Sequence, residues 1–226
     1  MKNTDIFTKE NFSDKLVKII RANIVHGEYK SGQILRETQL SKEWDVSRTP
    51  VREALKALEQ QQLLVRLSNG SYQVTELTIE YVGHFYDTLR VLMDFLISHS
   101  LIFDLSEKDK RWVAKMISAL EKSIQKSDLD AYIKATADLI LFMIQKTGNP
   151  IIEKIAHELI PIGSRIMWTA ITNAPDIPER LMKDVIKIYE KILQKNSQEA
   201  VVLFHSAFLL IKEMTIEKLS SEKANQ

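Results

Sequence analysis

Cysteine is absent from all 226 residues. That removes a disulfide framework, cysteine-ligated zinc and thiol catalysis, and it suits a reducing compartment. Glycine is scarce, at six, and no glycine-rich loop of the kind that cradles a phosphate is present. No stretch approaches the ~20 uncharged apolar residues of a membrane span. The first fifteen residues hold no long apolar run after Lys2, so no signal peptide is expected and a cytoplasmic setting is. A nucleophile motif, metal-ligand spacing and a carboxylate pair in an obvious cleft are all missing, which argues against an enzyme. So is a large excess of either charge. The formal net charge is +1, with 12 Lys and Arg against 9 Asp and Glu in residues 1–75 and 19 against 21 in the remainder. Such a mild imbalance identifies no partner; the placement of the positive charge decides more.

What is present is the composition of a globular chain, 45% hydrophobic and 27% charged, long enough for one large domain or two modest ones. Phe12, Leu16, Ile19, Ile20 and Ile24 recur at helical spacing and predict a helix over 11–26, ended by Gly27. A short helix fits 37–44, anchored by Leu40 and Trp44. Asp45 follows at a turn, and Ser47 and Thr49 offer oxygens to cap the next helix. Pro50 falls in that helix's first turn, where its missing N–H costs nothing. Val51, Ala54, Leu55 and Leu58 then form an apolar stripe to about residue 61. The period changes at 63–67 and 72–74, β-type runs either side of Asn69-Gly70. That dipeptide predicts a hairpin whose two central residues both adopt positive φ.

Beyond Val74 the pattern is helical throughout, with helices expected over 78–98, 106–125, 128–147, 150–172, 178–194 and 197–218. Ser106 and Ser197 read as helix starts, and Gly148-Asn149-Pro150 as a stop followed by a start. Pro161 should kink or divide its helix. The expected fold is mainly α: a winged helix-turn-helix of three helices and a β-hairpin over 8–76, then an all-α antiparallel bundle of about six helices over 77–220.

The chemistry concentrates between Leu35 and Val74. Arg48, Arg52 and Lys56 stand at i, i+4 and i+8, one cationic line on a helix whose other side is the Val51/Ala54/Leu55/Leu58 stripe. Burying the stripe turns the line outward. Arginine suits bidentate bonds to guanine O6 and N7 and also binds phosphate. Ser47 and Thr49 can hydrogen-bond phosphate at the helix N-terminus. Asn69 and Gly70 would form a wing tip near a phosphate or the minor groove. Cationic residues four apart on a helix are also common as plain solvated faces, and the cap, the proline and the following hairpin are what tell against that here.

Leu40, the run Val46-Ser47-Arg48-Thr49-Pro50-Val51-Arg52-Glu53-Ala54-Leu55, and Leu58 closely resemble the DNA-binding domain of GntR-type regulators. The resemblance implies that Ser47, Arg48, Thr49 and Arg52 contact a double-stranded DNA operator, with Asn69 and Gly70 at the wing tip. Asp45 departs from the family's usual glycine, a swap Asp tolerates because it visits left-handed conformations. Thr38 stands where many relatives carry an arginine, which alters operator preference. The remainder is similar to the helical effector domain of the FadR-like subgroup, on Tyr86-Asp87-Thr88-Leu89-Arg90, residues 128–132 and Gly148-Asn149-Pro150-Ile151-Ile152.

That likeness implies a homodimer with a small-molecule effector inside the bundle. Many subgroup members hold a divalent metal there through one Asp and three His. The corresponding positions here are Thr136, Ile140, Val185 and Ala207, which offer no usable ligand set, so no metal or other cofactor is expected. His205 lies two residues from the last position and should point elsewhere. Tyr86, Arg90, Ile140, Met143, Arg165 and Val185 are expected to line an effector site, with an acyl or aromatic ligand body and a carboxylate held by the arginines. Alternatively these side chains are core, and the arginines pair with Asp87, Asp94 or Glu158. Three functions follow for testing: a ligand-responsive repressor, a regulator whose bundle is only a dimerisation scaffold, and, with nothing to recommend it, an enzyme.

Overall fold

The computed structural model describes residues 12–100, 105–174 and 176–224. The domain start expected at residue 8, the helix start at residue 11 and the side chain of His99 lie outside the described residues. The chain divides into two compact units, Met1–Glu76 and Leu77–Gln226.

The first unit runs α1 (Phe12–Val25), β1 (Ile34–Leu35), α2 (Glu37–Glu43), α3 (Arg48–Gln60), β2 (Leu64–Arg66) and β3 (Tyr72–Val74). Its strands form an antiparallel sheet in the order β1-β3-β2, with Leu35 opposite Tyr72 and Val65 opposite Gln73. The hairpin was legible in the sequence; β1 was not, because two residues carry no periodicity. Ile20, Ile24, Val51, Ala54, Leu55 and Leu58 are fully buried, with Leu40 and Tyr72 beside them. The core therefore clamps α3 between α1 and α2, and the 3.6-residue period fixes which side of α3 remains outside.

Two local details differ from expectation. Ser47 is the N-cap residue of α3, yet it makes no side-chain capping hydrogen bond. The wing is not a two-residue turn. Gly70 N–H donates to Leu67 O at 2.9 Å and Leu67 N–H to Ser71 O at 2.9 Å, so Ser68 and Asn69 are the central residues. Only Gly70 takes positive φ, at +82°. The turn is thus the three-residue type closed by a left-handed residue, a place that a glycine fills without a Cβ clash. The Asn69 side chain accepts from Ser71 N–H at 3.0 Å and Ser71 Oγ at 2.6 Å, pinning the tip.

Glycine is scarce elsewhere too, and the helix ends show what replaces it. Asp45, Gln62, Ser127 and Lys195 follow α2, α3, α5 and α8 with φ between +51° and +58°. After α2, Val46 N–H reaches Ser41 O at 3.0 Å; after α3, Leu63 N–H reaches Leu58 O at 3.0 Å. These are left-handed helix stops built on non-glycine residues, each at a steric cost.

The second unit contains α4 (Ile79–Ser100), α5 (Glu107–Gln125), α6 (Leu129–Lys146), α7 (Pro150–Asn173), α8 (Ile177–Leu193) and α9 (Ser197–Ala224). Ser106 and Asp109 close a reciprocal capping box on α5, Asp128 caps α6, and Asn149 caps α7 through Ile151 N–H and Ile152 N–H with Pro150 in the first turn. Lys146 Nζ meets Asp109 Oδ1 at 2.6 Å and ties the end of α6 to the start of α5. That ammonium, with the Ser106 hydroxyl, holds the Asp109 carboxyl below its ordinary pKa. Pro161 does not divide α7, which runs unbroken past it. α9 packs against α4, α7 and α8.

Candidate nucleic-acid interface

α3 decides the interface. Val51, Ala54, Leu55 and Leu58 are buried without residual exposure, so Arg48, Arg52 and Lys56 stand on the opposite side and are exposed. They line one open groove together with Thr38 from α2 and Asn69 and Gly70 from the wing. The structure brings these six residues, all singled out from the sequence, to one groove. Ser47 and Thr49 are exposed at the start of α3 but do not line the groove. By helix geometry the first-turn amides of Arg48 and Thr49 have no intrahelical acceptor, and Pro50 has no N–H. They leave a positive pole beside the cationic line.

Four further residues line the groove that sequence reasoning had not singled out: Arg36, Glu37, Arg66 and Ser71. Arg66 ends β2 beside the wing and is exposed although it shares a strand face with the buried Leu64, so strand alternation alone would not have found it. Arg36 is the N-cap residue of α2, exposed beside the groove. The groove thus gathers Arg36, Arg48, Arg52, Lys56 and Arg66 around one acid.

That acid, Glu37, is largely covered, with a side chain only 15% exposed. Arg52 Nε donates to both of its carboxylate oxygens at 3.0 Å, and Arg52 Nη2 donates to Oε2 at 2.9 Å. Arg48 Nη2 lies 3.6 Å from Oε2, an ion pair without a hydrogen bond. The Arg52 bonds hold the Glu37 carboxyl below its ordinary pKa, and Glu37 in turn raises that of Arg52. A doubly bonded, charge-assisted arginine–carboxylate pair is geometrically specific.

A family model described as bacterial regulatory proteins, gntR family, matches residues 12–74. The chain carries a gntR-family domain. Over 186 residues the chain is 26% identical to an uncharacterized HTH-type transcriptional regulator, YdhC, of Bacillus subtilis, covering 80% of each chain. A match to the gluconate operon transcriptional repressor of Bacillus subtilis is 29% identical and spans 63% of this chain and 58% of the repressor. Among solved structures, Escherichia coli McbR/YncC shares the fold with a TM-score of 0.74 at 16% identity, covering 95% of this chain and all of that one. A putative GntR regulator from Rhodococcus sp. RHA1 does so with a TM-score of 0.73 at 18% identity, over 91% and 97%. The YdhC, gluconate-operon and Rhodococcus proteins are described as transcription regulators.

The helical unit holds a different kind of space. Two adjoining cavities, of about 60 Å³ and about 80 Å³, share Met93, Thr136, Ile140, Met167, Phe208 and Ile211 in their walls. Tyr86 borders the first; Met143 and Val185 border the second; Ile140 borders both. The arginines do not. Arg90 is exposed, because Leu89 and Met93 take the inward phase of α4 and Arg90 lies about 100° away from Leu89. Arg165 is buried but lines neither cavity; Gly163, Ser164 and Met167 present the inner side of α7. Burial pulls the Arg165 guanidinium down to about 10, opposed by Tyr81. The expectation of an arginine-anchored carboxylate is therefore corrected. Asp94, one of the acids expected as a partner for the arginines, meets His205 across α4 and α9.

Thr136, Ile140, Val185 and Ala207 all border the second cavity. The four positions do converge, but on one hydroxyl and three hydrocarbon side chains, which do not fit a divalent cation. The Thr136 hydroxyl donates to Tyr132 O at 3.0 Å and the Tyr189 hydroxyl to Leu139 O at 3.1 Å. Burial raises the pKa of Tyr86, Tyr132 and Tyr189, so all stay neutral.

Proposed function

We propose that this chain is a cytoplasmic transcription repressor of the FadR-like subgroup, binding a DNA operator as a homodimer. One observation supports the DNA reading above the others: the cationic line of α3, the wing tip and Arg66 share a single open groove. In this reading α3 enters the major groove, Arg48 and Lys56 contact phosphates, and Arg52 reads a base. Selection from a pool of randomised duplexes tests it. The wild type enriches an imperfect palindrome, and Arg52→Ala lowers affinity for the winning duplex by roughly 1–3 kcal/mol. Equal affinity of both proteins for that duplex would falsify the reading.

Dimerisation is supported by an exposed apolar face on α4 and α9. Val91 and Phe95 on α4, and Val202 and Leu209 on α9, are 65%, 37%, 63% and 54% exposed. Four large apolar side chains on one helix pair suit a second copy of the same face. Sedimentation of wild type and Val91→Glu/Leu209→Lys decides it: a dimer that becomes a folded monomer supports this surface, and an unchanged dimer rejects it.

Effector control is supported by the twin cavities. Their walls are mostly hydrocarbon, the Thr136, Ser164 and Tyr189 hydroxyls donate to backbone carbonyls, and no charged side chain lines them, so the ligand of this reading is a small, uncharged, largely apolar molecule, not a carboxylate. The small volumes favour the second reading, a bundle that serves only as dimerisation scaffold; pockets for drug-sized ligands run to about 300 Å³ or more. A thermal-shift series from benzene-sized aromatics to medium-chain alcohols separates the two. Stabilisation that disappears in Ala207→Leu supports sensing, and silence across the series supports the scaffold.

A further inference from the structure

Within the groove, one carboxylate faces the same solvent that must receive a polyanion. A negative charge there weakens phosphate binding, so its presence calls for a separate advantage. Glu37 engages Arg52 through Nε and Nη2. A guanidinium has five N–H donors. Those two bonds use the side edge and leave both donors on Nη1 and one on Nη2, which together form the end fork that fits guanine O6 and N7. Arg52 remains 48% exposed and lines the open groove. Arg48, held only by a 3.6 Å ion pair and 58% exposed, lacks such a lock.

We propose that Glu37 is a positioning residue that fixes the Arg52 guanidinium with its end fork outward, trading non-specific phosphate affinity for base discrimination. Arginine loses much rotamer freedom when it binds, and a guanidinium already held by a bidentate carboxylate meets the base without that loss. The same carboxylate prevents Arg52 from folding onto a nearby phosphate. The two arginines of α3 are then unequal, one locked for reading and one free for docking. Local helix geometry does not distinguish them; a residue from α2 does.

This inference rests on the DNA reading of the groove. Its test uses the full-length protein, randomised duplexes, and then the selected duplex and a scrambled one titrated between about 50 and 200 mM salt. Glu37→Gln is expected to bind the scrambled duplex more tightly, with a salt slope steeper by about one phosphate contact. It is expected to lose about tenfold discrimination at one base pair, the same pair at which Arg52→Ala loses it. Glu37→Asp, one methylene short of Arg52, should lose that discrimination while leaving scrambled-DNA affinity and salt slope near wild type. A purely structural tie between α2 and α3 would lower the melting temperature of Glu37→Gln and leave base preference intact, which overturns the proposal. So does a parallel rise in affinity for both duplexes. A wild type that selects no sequence overturns the DNA reading and this inference together; a selective wild type with an unchanged Glu37→Gln overturns the role of Glu37 alone.

Discussion

The two units solve opposite problems with the same helices. The first buries a small apolar core and sets beside it an open groove of five cations around Glu37. The second keeps two largely hydrocarbon-walled voids within. A rigid core suits a surface that must hold side chains in register with a duplex, because a shift of the recognition helix moves every contact at once. A loosely filled interior suits a unit that can change shape when something enters it. Charge distribution follows the same division: the positive excess lies in residues 1–75, and the remainder is slightly acidic.

Four tests, on six substitutions, break or sharpen this contrast. The largest effect is expected from Leu55→Ala, which empties a fully buried site where α3 meets the core. It should cost about 2–5 kcal/mol of first-unit stability by chemical denaturation. Next is a matched pair. Ala54→Leu, at a site with no exposure on the buried side of α3, should cost roughly 1–3 kcal/mol from overpacking. Ala207→Leu grows into the second cavity and should leave stability unchanged or raise it. Equal penalties in the pair would mean that the two interiors do not differ in the way described.

A smaller effect concerns pH. The folded-state pKa of Glu37 lies below its ordinary value of 4.5. Its pairing therefore contributes stability that is fully present above about pH 4.5 and is lost as pH falls through the depressed folded value. Melting curves from neutral pH to about pH 3 should decline more steeply for wild type than for Glu37→Gln. Identical curves would show that the carboxylate gains nothing from Arg52. The smallest effect belongs to the helix stops: Gln62→Gly and Ser127→Gly should each stabilise by about 1 kcal/mol, one in either unit, since both residues hold positive φ.

Much of the first unit was legible in residue order. The α3 stripe, the cationic line and the wing dipeptide are local patterns whose consequences follow from helix and strand periods alone. Asp45 was also legible, and its φ of +51° is the left-handed turn that its place in the motif required. Less was legible in the second unit. Arg90 and Arg165 were expected to face inward by position in a motif, yet the phase of α4 puts Arg90 in solvent, and α7 turns Arg165 away from both voids. A helix surrounded on several sides, such as α9, has no clean polar face from which inward and outward can be read.

The sequence by itself determined the order of the helices and the wing hairpin, the boundaries set by Ser106, Asp128 and Gly148-Asn149-Pro150, and the outward direction of Arg48, Arg52 and Lys56. Each depends on hydrogen bonds and periodicities within a few residues. Only the tertiary structure decided that Glu37 grips Arg52 fifteen residues away, that Arg36 and Arg66 join the groove, and that Thr136, Ile140, Val185 and Ala207 meet at one apolar void. Those are contacts between separate elements, and they depend on how packed helices cross, which no local period encodes.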